Sequence, residues 1–133
     1  MMKQENFDYY MFRIIEAGRE QISARRIIMD TTSNRAERTL AAARRQHYAE
    51  VADEVLDELC DEAGRHKLSG EDYDIIEAHV HSIWGCESRK ARMNKMLMDT
   101  DNERIREEVA KILKATNQEE TQYKENLFSF LNK

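Results

Sequence analysis

Residues 34–63 read "NRAERTLAAARRQHYAEVADEVLDELCDEA", thirty positions without a glycine or a proline. The opening Asn34, with Glu37 three places on, is a capping box. A short polar side chain takes the first free amide of a helix, and the acid reaches back to the cap. The same signature recurs at Ser69 with Asp72 and at Thr100 with Glu103. With the N-terminal segment these mark four helices of about 25–30 residues. The chain has no proline and four glycines in 133 residues, so little interrupts a helix once started. No alternating strand pattern and no internal repeat competes. The fold expected is all-α, a helical bundle or paired antiparallel helical hairpins, in one domain spanning 1–133.

Turning each residue by about 100° sorts the faces. In the first helix Phe7, Met11, Ile14, Ile15, Gly18, Ile22 and Met29 share a stripe. In the third, Tyr73, Ile76, Val80, Ile83 and Trp84 do, and in the fourth, Ile105, Val109, Ile112 and Leu113. The second is less regular. Ala36, Leu40, Ala43 and His47 share one face, and Val51, Val55, Leu59 and Ala63 drift round from it, which predicts a bend near 44–48 or a change of partner along the helix.

Composition narrows the function. Apolar residues make up 41% and charged ones 35%, with a net charge of −5, a globular and charge-rich chain with no global pull toward nucleic acid. The N-terminus "MMKQENFDYY" carries no signal-like apolar run, and Cys60 and Cys86 stand apart with no CxxC, which fits a reducing cytoplasm. Candidate chemistry is thin. "EAHVHSIWGC" holds Glu77, His79, His81 and Cys86, but His79 and His81 point about 200° apart on a helix and cannot share an ion. No Glu-x-x-His exists for a di-iron bundle. Gly64, Gly70 and Gly85 stand alone, so no phosphate loop forms, and Cys86 lies in helix rather than in a nucleophile turn. The expectation is a non-enzymatic protein with no cofactor and no metal.

Charge layout says more. "RAERTLAAARR" (35–45) has four arginines and one acid, whereas Glu50 to Glu62 has seven acids and no base. This order opposes the helix dipole. With a hairpin of the second and third helices turning near residue 68, Arg35, Arg38, Arg44 and Arg45 would meet the basic run that holds Arg89, Lys90, Arg92 and Lys95. Relief for the acids would come from Arg13 and Arg19, from solvent or from another molecule. One such molecule is a second copy. An antiparallel pairing of second helices would set Arg38, Arg44 and Arg45 against Glu54, Asp57 and Glu58, with Val51 and Val55 as the apolar contact.

The chain closes on "NLFSFLNK" (126–133), with Leu127, Phe128 and Phe130 among its apolar residues. Continued helical rotation puts Tyr123, Leu127 and Phe130 on the stripe of Ile105 and Ile112, which predicts a packed helix end. The alternative is a docking tail. Phe128, Ser129, Phe130 and Leu131 are similar to the C-terminal clamp-binding peptides of phage late-transcription factors, an apolar–x–Phe–Leu ending. That likeness covers eight residues, implies a recognition peptide and assigns no family. The function expected is that of a small regulator or inhibitor docking on a larger host or cognate protein, as a homodimer and of the kind phage and mobile elements encode. The alternative is a nucleic-acid accessory protein using the arginines, with phosphate contacts that weaken with salt.

Overall fold

A computed structural model of the chain describes residues 2–64 and 70–133. It is all-α, with helices α1 (Gln4–Met29), α2 (Arg35–Glu62), α3 (Gly70–Asp99) and α4 (Glu103–Leu131), and no strand among the described residues. They fall into two compact units within what length alone reads as one domain. One comprises Met1–Leu68 with Leu131–Lys133, and the other Ser69–Phe130.

In the first unit α1 and α2 run antiparallel. Arg13 Nη1 meets Glu58 Oε2 at 2.6 Å, and Arg44 Nε donates to Glu20 Oε2 at 3.0 Å. The turn between them closes on Asp30, whose side chain accepts from Thr32 N at 2.8 Å and whose carbonyl accepts from Ser33 N at 3.2 Å. Asn34 then caps α2 as its sequence predicts. Its Oδ1 accepts from Glu37 N at 2.8 Å while Glu37 Oε1 accepts from Asn34 N at 3.4 Å.

Phe7, Met11, Ile14, Ile15, Ala17, Gly18 and Ala24 are buried on α1, and Ala41, Ala52, Val55, Leu56, Leu59 and Cys60 on α2. The register fixed by the ion pairs puts Ala24 level with Ala41, so the helices meet there through small side chains. This overturns the expected face of α2. Its buried line is Ala41, Ala52, Val55 and Leu59, one steady stripe on an unbroken helix, whereas Ala36, Leu40, Ala43 and His47 are all exposed. Leu40 is the larger residue, but Ala41 allows the closer approach, and that turns Leu40 outward. Met29, at the last position of α1 beside the turn, is also exposed. The end of the chain belongs to this unit. Met2 N donates to Asn132 Oδ1 at 2.8 Å, and Leu131 is buried.

In the second unit α3 and α4 run antiparallel. Arg89 Nη1 meets Glu119 Oε2 at 2.9 Å and Lys90 Nζ meets Glu120 Oε2 at 2.5 Å, while Arg106 bonds the Leu97 carbonyl across the turn. Ile76, Val80 and Ile83 are buried on α3 as their spacing predicts, Cys86 is buried beside them, and Tyr73 and Trp84 of the expected stripe are half-buried. The start of α4 is shifted from the expected box. Asn102, not Thr100, caps it, accepting from Ile105 N at 3.2 Å, while Thr100 Oγ1 accepts from Asn102 N. Ser69 of the second box, and the turn expected near 68, lie outside the described residues.

The α4 stripe also differs. Val109, Thr116, Glu120 and Leu127 are buried, at spacings that alternate between seven and four. Ile105 and Ile112 lie about 40–60° round from Val109 and are 41% and 42% exposed. Two polar residues hold the centre of the stripe and the isoleucines sit at its margin. The helix does continue to Leu131 without a break, with Leu127 fully buried.

Candidate interaction surface

The groups with metal-ligand chemistry stay apart: no cluster of three His, Cys, Asp or Glu suited to an ion exists among the described residues. His79 is held by the Ile75 carbonyl through Nδ1 at 2.8 Å. His81 faces out, 3.7 Å from Glu77 and stacked on Trp84. Cys86 is buried, and its thiol is pushed up by burial and by the nearby Glu119 and Glu120, the opposite of an activated nucleophile. An open groove along α4, lined by Asn117, Gln118, Thr121 and Gln122 among others, offers amides and a hydroxyl with Lys114 and Glu125 as its charges. No described helix is long and apolar enough to cross a membrane.

Surface charge is the distinctive feature. The α1–α2 pairing brings Arg19, Arg25 and Arg26 of α1 to the same end as Arg35, Arg38, Arg44 and Arg45 of α2. Residues 19–45 hold seven arginines against three acids. Sequence reading missed the α1 arginines because it paired α2 with α3; the Asp30–Asn34 turn, once seen, joins them. Arg44 is tied to Glu20, and Arg38 Nη2 donates to the Asp30 carbonyl at 3.0 Å. Arg25, Arg26, Arg35 and Arg45 are exposed and, among the described residues, make no ion pair. Arg89 and Arg92 belong to the other unit, where Arg89 is engaged by Glu119 and Arg92 is exposed.

The opposite end of this hairpin is acidic, and α1 relieves part of it. Arg13 answers Glu58, which holds its guanidinium above the usual arginine value, and it also lies 5.6 Å over the Tyr9 ring. Glu62 accepts from Asn6 Nδ2 and from Tyr10 Oη, each at 2.5 Å. That bond, with burial and the neighbouring carboxylates, pushes the Tyr10 hydroxyl up to about 12. Glu54 and Asp57 are exposed.

Of the residues expected in a two-fold contact along α2, three are taken up within the chain. Val55 is fully buried in its own hairpin, and Arg44 and Glu58 are engaged within the chain. In the tail Leu127 is fully buried, and Phe128 and Phe130 are half-buried within α4, so Leu127 is not presented to a partner. What lies uncovered instead is the line Ala36, Leu40, Ala43 and His47, with Leu40 73% exposed at the arginine-rich end.

Comparison with known proteins finds no matching family model, no matching curated protein and no matching solved structure.

Proposed function

We propose that the protein acts by binding rather than catalysis, as a small regulator or inhibitor that docks on a larger protein through the outer face of the first half of α2. The observation that carries this reading is the exposed apolar line Ala36, Leu40, Ala43 and His47, set in an end whose cations are all arginine. Four residues recurring at three and four positions make one continuous strip, the pattern by which a helix engages an apolar groove or another helix. Protein interfaces favour arginine and apolar anchors and are poor in lysine. No lysine occurs between Lys3 and Lys67.

The charge at this end selects the partner. Within a Debye length of about 8 Å the excess of arginine favours an acidic surface. A second copy laid on the same strip would bring two arginine-rich ends together. The second reading, nucleic-acid binding, rests on the unpaired Arg25, Arg26, Arg35 and Arg45, but phosphate contacts have no use for an exposed Leu40.

Capture from the source cell with the wild type, Leu40→Glu and the triple change Arg35→Glu, Arg38→Glu and Arg45→Glu separates these readings. A protein retained by the wild type and lost with Leu40→Glu, under modest salt dependence, supports the docking reading. Nucleic acid that survives Leu40→Glu, falls steeply with salt and is lost with the triple change would replace it. Self-association that Leu40→Glu abolishes would make a second copy the partner.

A further inference from the structure

We propose that the outer face of the first half of α1 is a second docking surface, opposite in charge to the arginine-rich end, and that it takes a basic amphipathic helix of a partner protein.

The surface begins with two aromatic rings left in water. Tyr9 is 57% exposed and Phe12 64%. Single exposed apolar residues are ordinary, but these two stand three apart and share one patch of the helix. They lie off its packed side, which is formed by Phe7, Met11, Ile14 and Ile15. Glu5 comes four positions before Tyr9 and Glu16 four after Phe12, and both are exposed. The result is one strip of carboxylate, ring, ring and carboxylate, about 16 Å long at the helical rise.

One of the rings is held in place. Tyr9 meets Tyr10 edge-on at 5.7 Å, and Tyr10 Oη donates to Glu62 at 2.5 Å. Arg13, itself tied to Glu58, lies 5.6 Å over the Tyr9 ring. An aromatic side chain already in position loses little freedom on binding, which suits it to anchor an interface.

Charge names the occupant. Residues 3–16 and 50–62 hold ten acids against two bases, Lys3 and Arg13. Lys3 is the N-cap of α1 and stands off the strip, and Arg13 is engaged by Glu58. Arg19, three positions beyond Glu16, is where the acidic end gives way to the arginine-rich one. The net charge of −5 adds a long-range pull on a cationic partner. An arginine or lysine suits both parts of the strip, since its charge answers a carboxylate while its stem or guanidinium lies on a ring. Arg13 over Tyr9 is the same contact made within the chain.

Spacing names its form. A strip recurring at four, three and four positions is a seam along which another helix packs ridge into groove. Cations eleven residues apart on that helix would reach Glu5 and Glu16, with apolar side chains between them over the rings. A second copy laid strip to strip fits poorly. An antiparallel pair centred between Tyr9 and Phe12 would set Glu5 of one chain against Glu16 of the other.

The probe is a synthetic helical peptide with arginines eleven positions apart and leucines on the face between them. Its counterpart carries glutamates in the arginine positions. Fluorescence anisotropy of the labelled peptides with the full chain should show binding of the arginine peptide and none of the glutamate peptide. Phe12→Ser and Glu16→Lys should each weaken binding at least tenfold with Tm unchanged, because both side chains are exposed. The same reversal at exposed Glu108 should leave binding as it was. Equal binding of the two peptides, binding of neither, or binding that survives Phe12→Ser overturns the proposal. Wild-type self-association that Phe12→Ser abolishes would put a second copy on the strip and overturn it as well.

Discussion

The two hairpins solve the same pairing problem with charge in opposite places. In α1–α2 the ion pairs lie on the flanks, with the Arg13–Glu58 side chains 31% and 50% exposed, and the seam between the helices is apolar, with small residues at its Ala24 and Ala41 end. In α3–α4 an ion pair is sunk into the seam, where Glu120 of α4 and its neighbour Thr116 take positions an apolar residue would otherwise hold. The first hairpin is held by packing and oriented by its charges. The second depends on a lysine staying between two acids.

Breaking the buried cluster should therefore be the most damaging single change. Lys90→Met removes the ammonium that Glu87 and Glu120 share and should cost about 3–5 kcal/mol in denaturant unfolding. The cost should be larger near pH 8 than near pH 5, where Glu120 can take up a proton. A pH-independent cost would place the contribution of Lys90 in packing. Core truncations should come next and should not distinguish the hairpins. Leu59→Ala and Ile83→Ala remove fully buried side chains and should each cost about 2–5 kcal/mol.

The cap is a smaller handle. Asn34→Ala removes the acceptor for Glu37 N and should cost about 1 kcal/mol, read from the unfolding midpoint. Smallest is the flank. Arg13→Ala should cost under about 1 kcal/mol, because its pair with Glu58 is solvent-screened. A larger loss would mean that the first hairpin also leans on charge, and the contrast between the two would collapse.

Helix number and type were legible because caps and the absence of proline are local signals. The Asn34 box works as read, and on α1 and α3 apolar side chains at helical spacing line the buried face, so periodicity alone places Ile14, Ile76, Val80 and Ile83. Where size and burial part company the reading fails. On α2 an alanine takes the seam and a leucine the surface, because approach distance decided the contact. On α4 the polar Thr116 and Glu120 occupy the stripe, and a rule that seeks apolar residues slides sideways onto Ile105 and Ile112. The arginine end was half legible: its α2 members stand together in sequence, but Arg25 and Arg26 join only through the turn at Asp30. In the acid-rich half of α2 the expected help from Arg13 reaches Glu58, and the first helix also meets Glu62 through Asn6 and Tyr10.

Each hairpin also contains one reduced cysteine, Cys60 on α2 and Cys86 on α3, at 5% and 2% exposure. A buried thiol meets an aqueous alkylating reagent only when its surroundings open. The chain therefore carries two natural stopwatches, one per hairpin, with no label to introduce. With Cys60→Ser or Cys86→Ser in turn, the remaining thiol times the opening of its own unit. Above the burial-raised Cys86 value the thiolate fraction stops limiting its rate, and opening alone is measured. Equal rates would report one cooperative structure, and unequal rates two units that breathe separately.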